Sequence, residues 1–152
     1  MFEKQFVTGW GDMDFNSHMR NTAFLDKSAD TRMMFFSEHG FPIEEFTHRK
    51  IGPVIKKDEV EYFKEVRLLE NIRVRLLLAG LAEDGSRFMV RNEFLRADGA
   101  IAAKVTSVGG WFDRVSRKLV APPDALHAAL RSLARTEDFQ ILPSSIHKPS
   151  GA

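Results

Sequence analysis

Cysteine is absent from the 152-residue sequence, which excludes a disulfide framework, a thiolate zinc site, an iron–sulfur cluster and a cysteine nucleophile. Charge of either sign is not in excess: 22 basic against 21 acidic residues leave a formal +1. Nothing in that balance points to nucleic acid or to an anionic membrane surface. Long apolar runs are also missing, so no membrane span is expected. The opening Met1-Phe2-Glu3-Lys4-Gln5-Phe6 lacks a basic start followed by an apolar stretch. The expectation is a soluble chain, with the cytoplasm as the preferred compartment. What the sequence does have is a hydrophobic fraction of 43%, enough to fill one sizeable core.

Phe2 to Thr8 reads as a first strand, ended by Gly9-Trp10-Gly11. From Asn21 onward Leu25, Ala29, Met33 and Phe36 recur at helical spacing, with Phe24, Ser28 and Phe35 widening the stripe. Asn16, Ser17 and Asn21 supply candidate caps at its start, while Gly40 and Pro42 mark its end. After a break at Gly52-Pro53, strands are expected over Val54-Ile55, Val60 to Val66 and Ile72 to Ala82. Asp84-Gly85 and Asp98-Gly99 then separate three strand-like runs of an antiparallel meander, as dipeptides suited to tight turns with positive φ at both central residues. The last run, Ala100 to Phe112, carries Gly109-Gly110, which suggests a bulge or a close backbone approach. Pro122-Pro123 opens a short C-terminal helix lined by Leu126, Leu130 and Leu133. This order predicts an α+β domain in which an antiparallel sheet wraps one long helix and buries it on most sides, with Ala100 to Phe112 as an edge strand free to pair with a second copy.

Chemistry concentrates in Trp10-Gly11-Asp12-Met13-Asp14-Phe15-Asn16-Ser17-His18-Met19-Arg20-Asn21, where two carboxylates, an imidazole and two amides precede the long helix. Unpaired N–H groups at a helix N-terminus favour a nearby carboxylate or the oxyanion of an attacked carbonyl, so acid–base or carboxylate-nucleophile chemistry fits. The competing reading has Asp14, Asn16 and Asn21 capping turns and His18 as a structural histidine, and spacing alone favours it.

The same segment resembles the signature of hotdog-fold acyl-CoA thioesterases of the 4-hydroxybenzoyl-CoA thioesterase type, roughly Asp-x-Asp-x-x-Gly-His-Val-Asn-Asn followed by a helix. Asp12, Asp14, His18 and Asn21 match; Ser17 stands for the glycine, Met19 for the valine and Arg20 for the first asparagine. Val60-Glu61-Tyr62-Phe63-Lys64-Glu65-Val66 resembles the family's strand ending in an aromatic and a turn. Asp113-Arg114 through Pro122 resembles its exit from the last strand. The resemblance covers about residues 2 to 130. It implies a hotdog fold over 1–135 with a tail over 136–152 that is loose or packed on a neighbour, and dimers joined edge to edge.

It further implies hydrolysis of an acyl-CoA or acyl-carrier-protein thioester, with Asp14 as general base or nucleophile and with His18 and Asn21 orienting the loop or the thioester. The departures at Ser17 and Arg20 keep a non-catalytic hotdog module, binding acyl groups or a protein partner, as the alternative. Arg20 has two readings, a partner for Asp14 or the substrate, or a solvated side chain. Tyr62 is a further candidate for substrate contact. Arg73, Arg75, Arg87, Arg91 and Arg96 on the meander, and Arg114, Arg117 and Lys118 after it, are candidates for coenzyme A phosphates, with solvated strand faces as the competing explanation. Arg91 and Arg114 stand for these two groups as substrate-binding candidates. His39, His48, His127 and His147 show no metal-ligand spacing, and no metal or cofactor is expected. Thirteen phenylalanines against one tyrosine suit a core with few polar handles, part of which could line an acyl pocket. A homodimer or homotetramer is expected.

Overall fold

The computed structural model describes residues 1–146. Its seven strands are β1 (Phe2–Val7), β2 (Ile51–Tyr62), β3 (Asn71–Ala82), β4 (Arg87–Leu95), β5 (Ile101–Asp113), β6 (Lys118–Val120) and β7 (Arg135–Leu142). Its helices are α1 (Asn21–Glu38), α2 (Ile43–Arg49) and α3 (Asp124–Arg131). The strands form one sheet in the order β1-β3-β4-β5-β2, with β6 added to β5 and β7 to β3. All pairings are antiparallel except β3 with β7. No helix among the described residues is long and apolar enough to cross a membrane.

Strand alternation positions the sheet against α1. In β3, Ile72, Val74 and Leu76 are fully buried, while Arg73 and Arg75 face outward and meet Glu3 of β1 at 3.2 and 3.0 Å. The buried faces divide into two clusters. One gathers Phe35, Phe36, Phe88, Trp111, Leu126 and Leu130 at the C-terminal end of α1. The other, at its N-terminal end, gathers Phe24, Ile72, Val74, Phe94 and Val105. Trp111 satisfies its indole N–H on the Gly85 carbonyl at 3.1 Å, so this buried ring costs no unpaired donor.

Within the expected stripe of α1, Phe24, Ser28, Phe35 and Phe36 are buried together with Thr31 and Arg32, while Leu25, Ala29 and Met33 flank them half-buried. Asp26, Asp30 and Met34 form one exposed line, while the other positions from Ala23 to Phe36 are buried or half-buried, as expected for a sheet wrapped around the helix. Several expectations are corrected. Asn16, Ser17 and Asn21 do not cap α1; Arg20 occupies the N-cap position without a side-chain bond. Gly52-Pro53 lies inside β2, because an unforeseen helix, α2, takes up the chain just before it. Pro53 is tolerated there because β2 is an edge strand, paired with β5 alone. The Asp-Gly turns place only Gly85 and Gly99 at positive φ, since the loops are longer than a two-residue hairpin. β5 is not an edge: it lies between β4 and β2. The segment expected to be a tail instead supplies β7, which pairs parallel to β3 from Arg135 on, so the 136–152 boundary cuts a strand of the sheet. At Gly109 the expected close approach is present, because a Cβ there would lie 2.2 Å from the Val54 carbonyl oxygen.

Candidate active site

The loop between β1 and α1 is held by its own carboxylates. After a single 3-10 turn (Trp10–Asp12), Asp12 accepts the Gly9 N–H at 2.9 Å and meets Lys27 of α1 at 3.4 Å. Asp14 Oδ1 accepts the N–H groups of Asn16 at 2.9 Å and His18 at 3.1 Å, and the Asp14 N–H donates to the His18 carbonyl at 2.7 Å. The chain reverses within five residues, which requires Ser17 at φ 62°, the left-handed region where glycine is at ease. The serine therefore preserves the backbone shape that a glycine would give. Met19 closes the loop by donating its N–H to Val66 at 2.8 Å, and a bridge joins His18 to Arg67.

These bonds bring the loop against the connection that follows β2. A cavity of about 250 Å³ opens there, lined among others by His18, Met19, Phe24, Tyr62, Phe63 and Glu65. Phe24 and Tyr62 meet edge to face at 5.6 Å. His18 Nε2 stands 3.0 Å from Glu65 Oε2. Asp14 is exposed and does not itself line the cavity; it adjoins it through His18. Asn21 is the first residue of α1, and its Oδ1 accepts the Thr22 N–H at 3.0 Å.

The other sequence candidates go elsewhere. Arg20 does not reach Asp14: its Nε donates to the Gly11 carbonyl at 3.0 Å, its guanidinium bonds Thr22, and Asp26 lies 3.7 Å away. Arg91 is occupied by Asp138 of β7 at 2.9 and 3.0 Å and by Thr106 at 3.0 Å. That pairing holds the Asp138 carboxyl down at about 2. Arg114 follows the end of β5 that pairs with Ile51, whereas Tyr62 pairs with Ala103 at the opposite end. Of the sequence candidates, His18 and Tyr62 line the cavity, Asp14 adjoins it through the His18 backbone, and Asn21, Arg91 and Arg114 do not line it. Glu65, Phe24 and Phe63 are members that the sequence reading missed. Their signal was present, since Glu65 lies within the quoted Val60–Val66 motif and Phe24 flanks the helical stripe.

Of the histidines, His39 bonds the Phe35 carbonyl through Nδ1 at 2.8 Å. His127 packs on Gly85, where burial pushes its imidazole below the usual value. His48 is exposed on α2, and His147 lies outside the described residues. Among the described residues no cluster of three or more acidic or histidine side chains is arranged to hold a metal ion.

A family model described as the thioesterase-like superfamily matches residues 8–130. No curated protein sequence matches the chain. Among solved structures, a Staphylococcus aureus protein in complex with CoA is similar at 17% identity, covering 98% of this chain and 89% of that one, with a TM-score of 0.79. A Synechocystis 1,4-dihydroxy-2-naphthoyl-CoA thioesterase is similar at 14% identity, covering 87% and 96%, with a TM-score of 0.78. A gentisyl-coenzyme A thioesterase is similar at 18% identity, covering 84% and 98%, with a TM-score of 0.75. At these identities the likeness shows the fold, which is the hotdog architecture.

Proposed function

Because the chain belongs to the thioesterase-like superfamily, we propose that it hydrolyses the thioester of an acyl-CoA or of an acyl-carrier protein, with Asp14 as general base or nucleophile. The observation that carries this reading is the setting of Asp14. One carboxylate oxygen is fixed by two main-chain N–H groups, on a loop that runs past an aromatic-lined cavity into the uncapped start of α1. A fixed carboxylate has one orientation to offer, which is what positioning contributes to rate. The positive end of the α1 dipole favours a developing oxyanion, although the Thr22 N–H is taken by Asn21 Oδ1 and the Ala23 N–H by the Arg20 carbonyl.

As a base, Asp14 takes a proton from water while the water oxygen bonds to the thioester carbon; the C–S bond breaks and the proton passes to the thiolate. As a nucleophile, it bonds to that carbon itself and expels the thiolate, and water then cleaves the resulting anhydride. Both routes end in a free acid and a thiol, and a thioester is reactive enough for either. Asn21 opens the helix that receives the oxyanion, His18 orients the loop, and Tyr62 and Phe63 contact the acyl group. Arg20 acts on the loop and not on substrate. The chain assembles as a homodimer or homotetramer, with the unpaired edge of β2 in the role first expected of β5.

The test is release of thiol from a panel of acyl-CoAs and acyl-carrier-protein thioesters. A thiol reagent can be used directly, because the protein itself contains no cysteine. Accelerated release supports hydrolysis. Tight binding with no thiol over hours makes the chain a binding module instead.

A further inference from the structure

We propose that the edge of β2 recognises a second copy of itself through Lys56-Lys57-Asp58-Glu59, whose charges set one antiparallel register with the twofold axis between Lys57 and Asp58. The inference rests on the homodimer or homotetramer reading above and adds the register to it.

β2 pairs with β5 alone, so the N–H and C=O groups of its other edge have no strand partner. All four charged residues are exposed, and none forms an ion pair within the chain among the described residues. Read backwards, their order gives the opposite sign at every position. A strand needs that property if it is to meet its own copy running the other way.

A bulge narrows the choice of axis. Ile55 pairs with Gly109 and Lys57 with Val108, which leaves Lys56 over. Before the bulge, Ile51 is buried and Ile55 packs on the cluster around Phe35 and Phe36. After it, Asp58 accepts from the buried Ser107 at 2.6 Å, Val60 packs on the cluster around Phe24, and Tyr62 meets Phe24. The inward residues are thus odd-numbered up to Ile55 and even-numbered from Asp58. Opposed residues of an antiparallel pair share a face. Where the pairing spans the bulge, inward side chains of two copies therefore meet only if the axis passes between two residues and not through one.

Placed between Lys57 and Asp58, the axis sets Ile55 against the partner's Val60, Lys56 against the partner's Glu59, and Lys57 beside the partner's Asp58, each contact occurring twice. One step either way opposes Lys56 to the partner's Lys57, or Asp58 to the partner's Glu59, and like charges opposed across strands destabilise. The same register sets the partner's Pro53 against Tyr62, so the second copy extends the wall of the cavity that His18 and Tyr62 line.

The experiment measures self-association of the full chain by sedimentation, for wild type, Lys56→Glu, Glu59→Lys and an equimolar mixture of the two variants. Each variant alone opposes like charges twice, and its dimer is expected to weaken by about 10-fold or more. The mixture restores both pairs and gives a heterodimer of near wild-type affinity. Both side chains are exposed, and circular dichroism checks that the variants fold. A cysteine pair reads the register directly, because the chain has no cysteine of its own. Opposed Cα atoms lie about 4.5 to 5.5 Å apart, within reach of a disulfide, and positions two residues off lie about 7 Å or more apart. Val54→Cys mixed with Glu61→Cys is therefore expected to cross-link on oxidation. Gly52→Cys mixed with Glu61→Cys is not, although a Cβ at Gly52 meets only open space. Wild-type affinity in both charge variants, or no cross-link between positions 54 and 61, overturns the register while leaving a dimer standing. A wild-type chain that stays monomeric at every concentration sinks the assembly reading, and the register with it. The hydrolase reading, followed by thiol release, stands or falls separately.

Discussion

Asp14 and His18 hold each other through the backbone in both directions: the carboxylate accepts the His18 N–H at 3.1 Å, and the Asp14 N–H donates to the His18 carbonyl at 2.7 Å. The carboxylate is thereby both a structural tie and the proposed reactive group. Asp14→Asn separates the two roles, since the amide oxygen still accepts the N–H groups but is a poor base and nucleophile. The variant is expected to fold normally by circular dichroism and to lose kcat by about 100-fold or more, as removal of a positioned base or nucleophile does. Near-normal kcat across the thioester panel would refute the assignment.

Ser17 supplies a second prediction, from backbone strain. Its φ of 62° is a conformation in which a Cβ is crowded and glycine is not. Ser17→Gly removes that cost but adds unfolded-state entropy, so the net change is a stabilisation of up to about 1 kcal/mol in urea denaturation. Ser17→Val, β-branched at the same φ, is expected to destabilise by more than that. Equal stability of all three chains would show that the loop relaxes to another conformation.

The loop was legible in the sequence because its chemistry is local: a carboxylate, a turn residue and a histidine within five positions set their own geometry. The buried meander was legible for a similar reason, since Ile72, Val74 and Leu76 alternate with Arg73 and Arg75. What escaped reading depends on partners distant in sequence. β7 carries few apolar side chains and is a strand because Gly80 leaves room for it; a Cβ there would lie 3.0 Å from Leu142 and 3.1 Å from the Gln140 carbonyl. Arg91 looked available until Asp138, 47 residues on, was brought across the sheet to it. Glu65 comes within 3.0 Å of His18 only when the connection after β2 folds against the loop that carries His18.

The Arg91–Asp138 pair gives a pH dependence whose sign is fixed. The Asp138 carboxyl falls from 3.8 to about 2 in the folded chain, chiefly through the hydrogen bonds from Arg91. Its stabilisation is therefore present above the unfolded value and is lost as pH falls from about 4 to 2. Glu3 and Asp84 shift in the same direction, through Arg75 and Arg73 for Glu3 and through Ser144 and Ser86 for Asp84. Thermal midpoints should fall across this window, and Asp138→Asn should flatten part of that fall while lowering the midpoint at pH 7. The side chain is 65% exposed, so solvent screening keeps the change small. A midpoint in Asp138→Asn that keeps the full wild-type slope would remove the pair from the acid response.

Arg32 poses the opposite case, a charge whose burial works against it. It is 8% exposed at the middle of α1, its Nη1 has no hydrogen-bond partner among the described residues, and burial lowers its pKa while Asp58 opposes the shift. Asp58 is itself engaged by Ser107 at 2.6 Å, so it offsets the guanidinium without enclosing it. Replacing such a cation with an apolar side chain of similar length removes a desolvation penalty and keeps the packing. Arg32→Met is therefore expected to match or exceed wild-type stability, by about 1 to 3 kcal/mol in urea denaturation. Arg32→Ala, which leaves the space unfilled, should lose stability. Should Arg32→Met destabilise as much as Arg32→Ala, the guanidinium must have an acceptor in the working protein, and a neighbouring protomer across the free edge of β2 would be the place to find it.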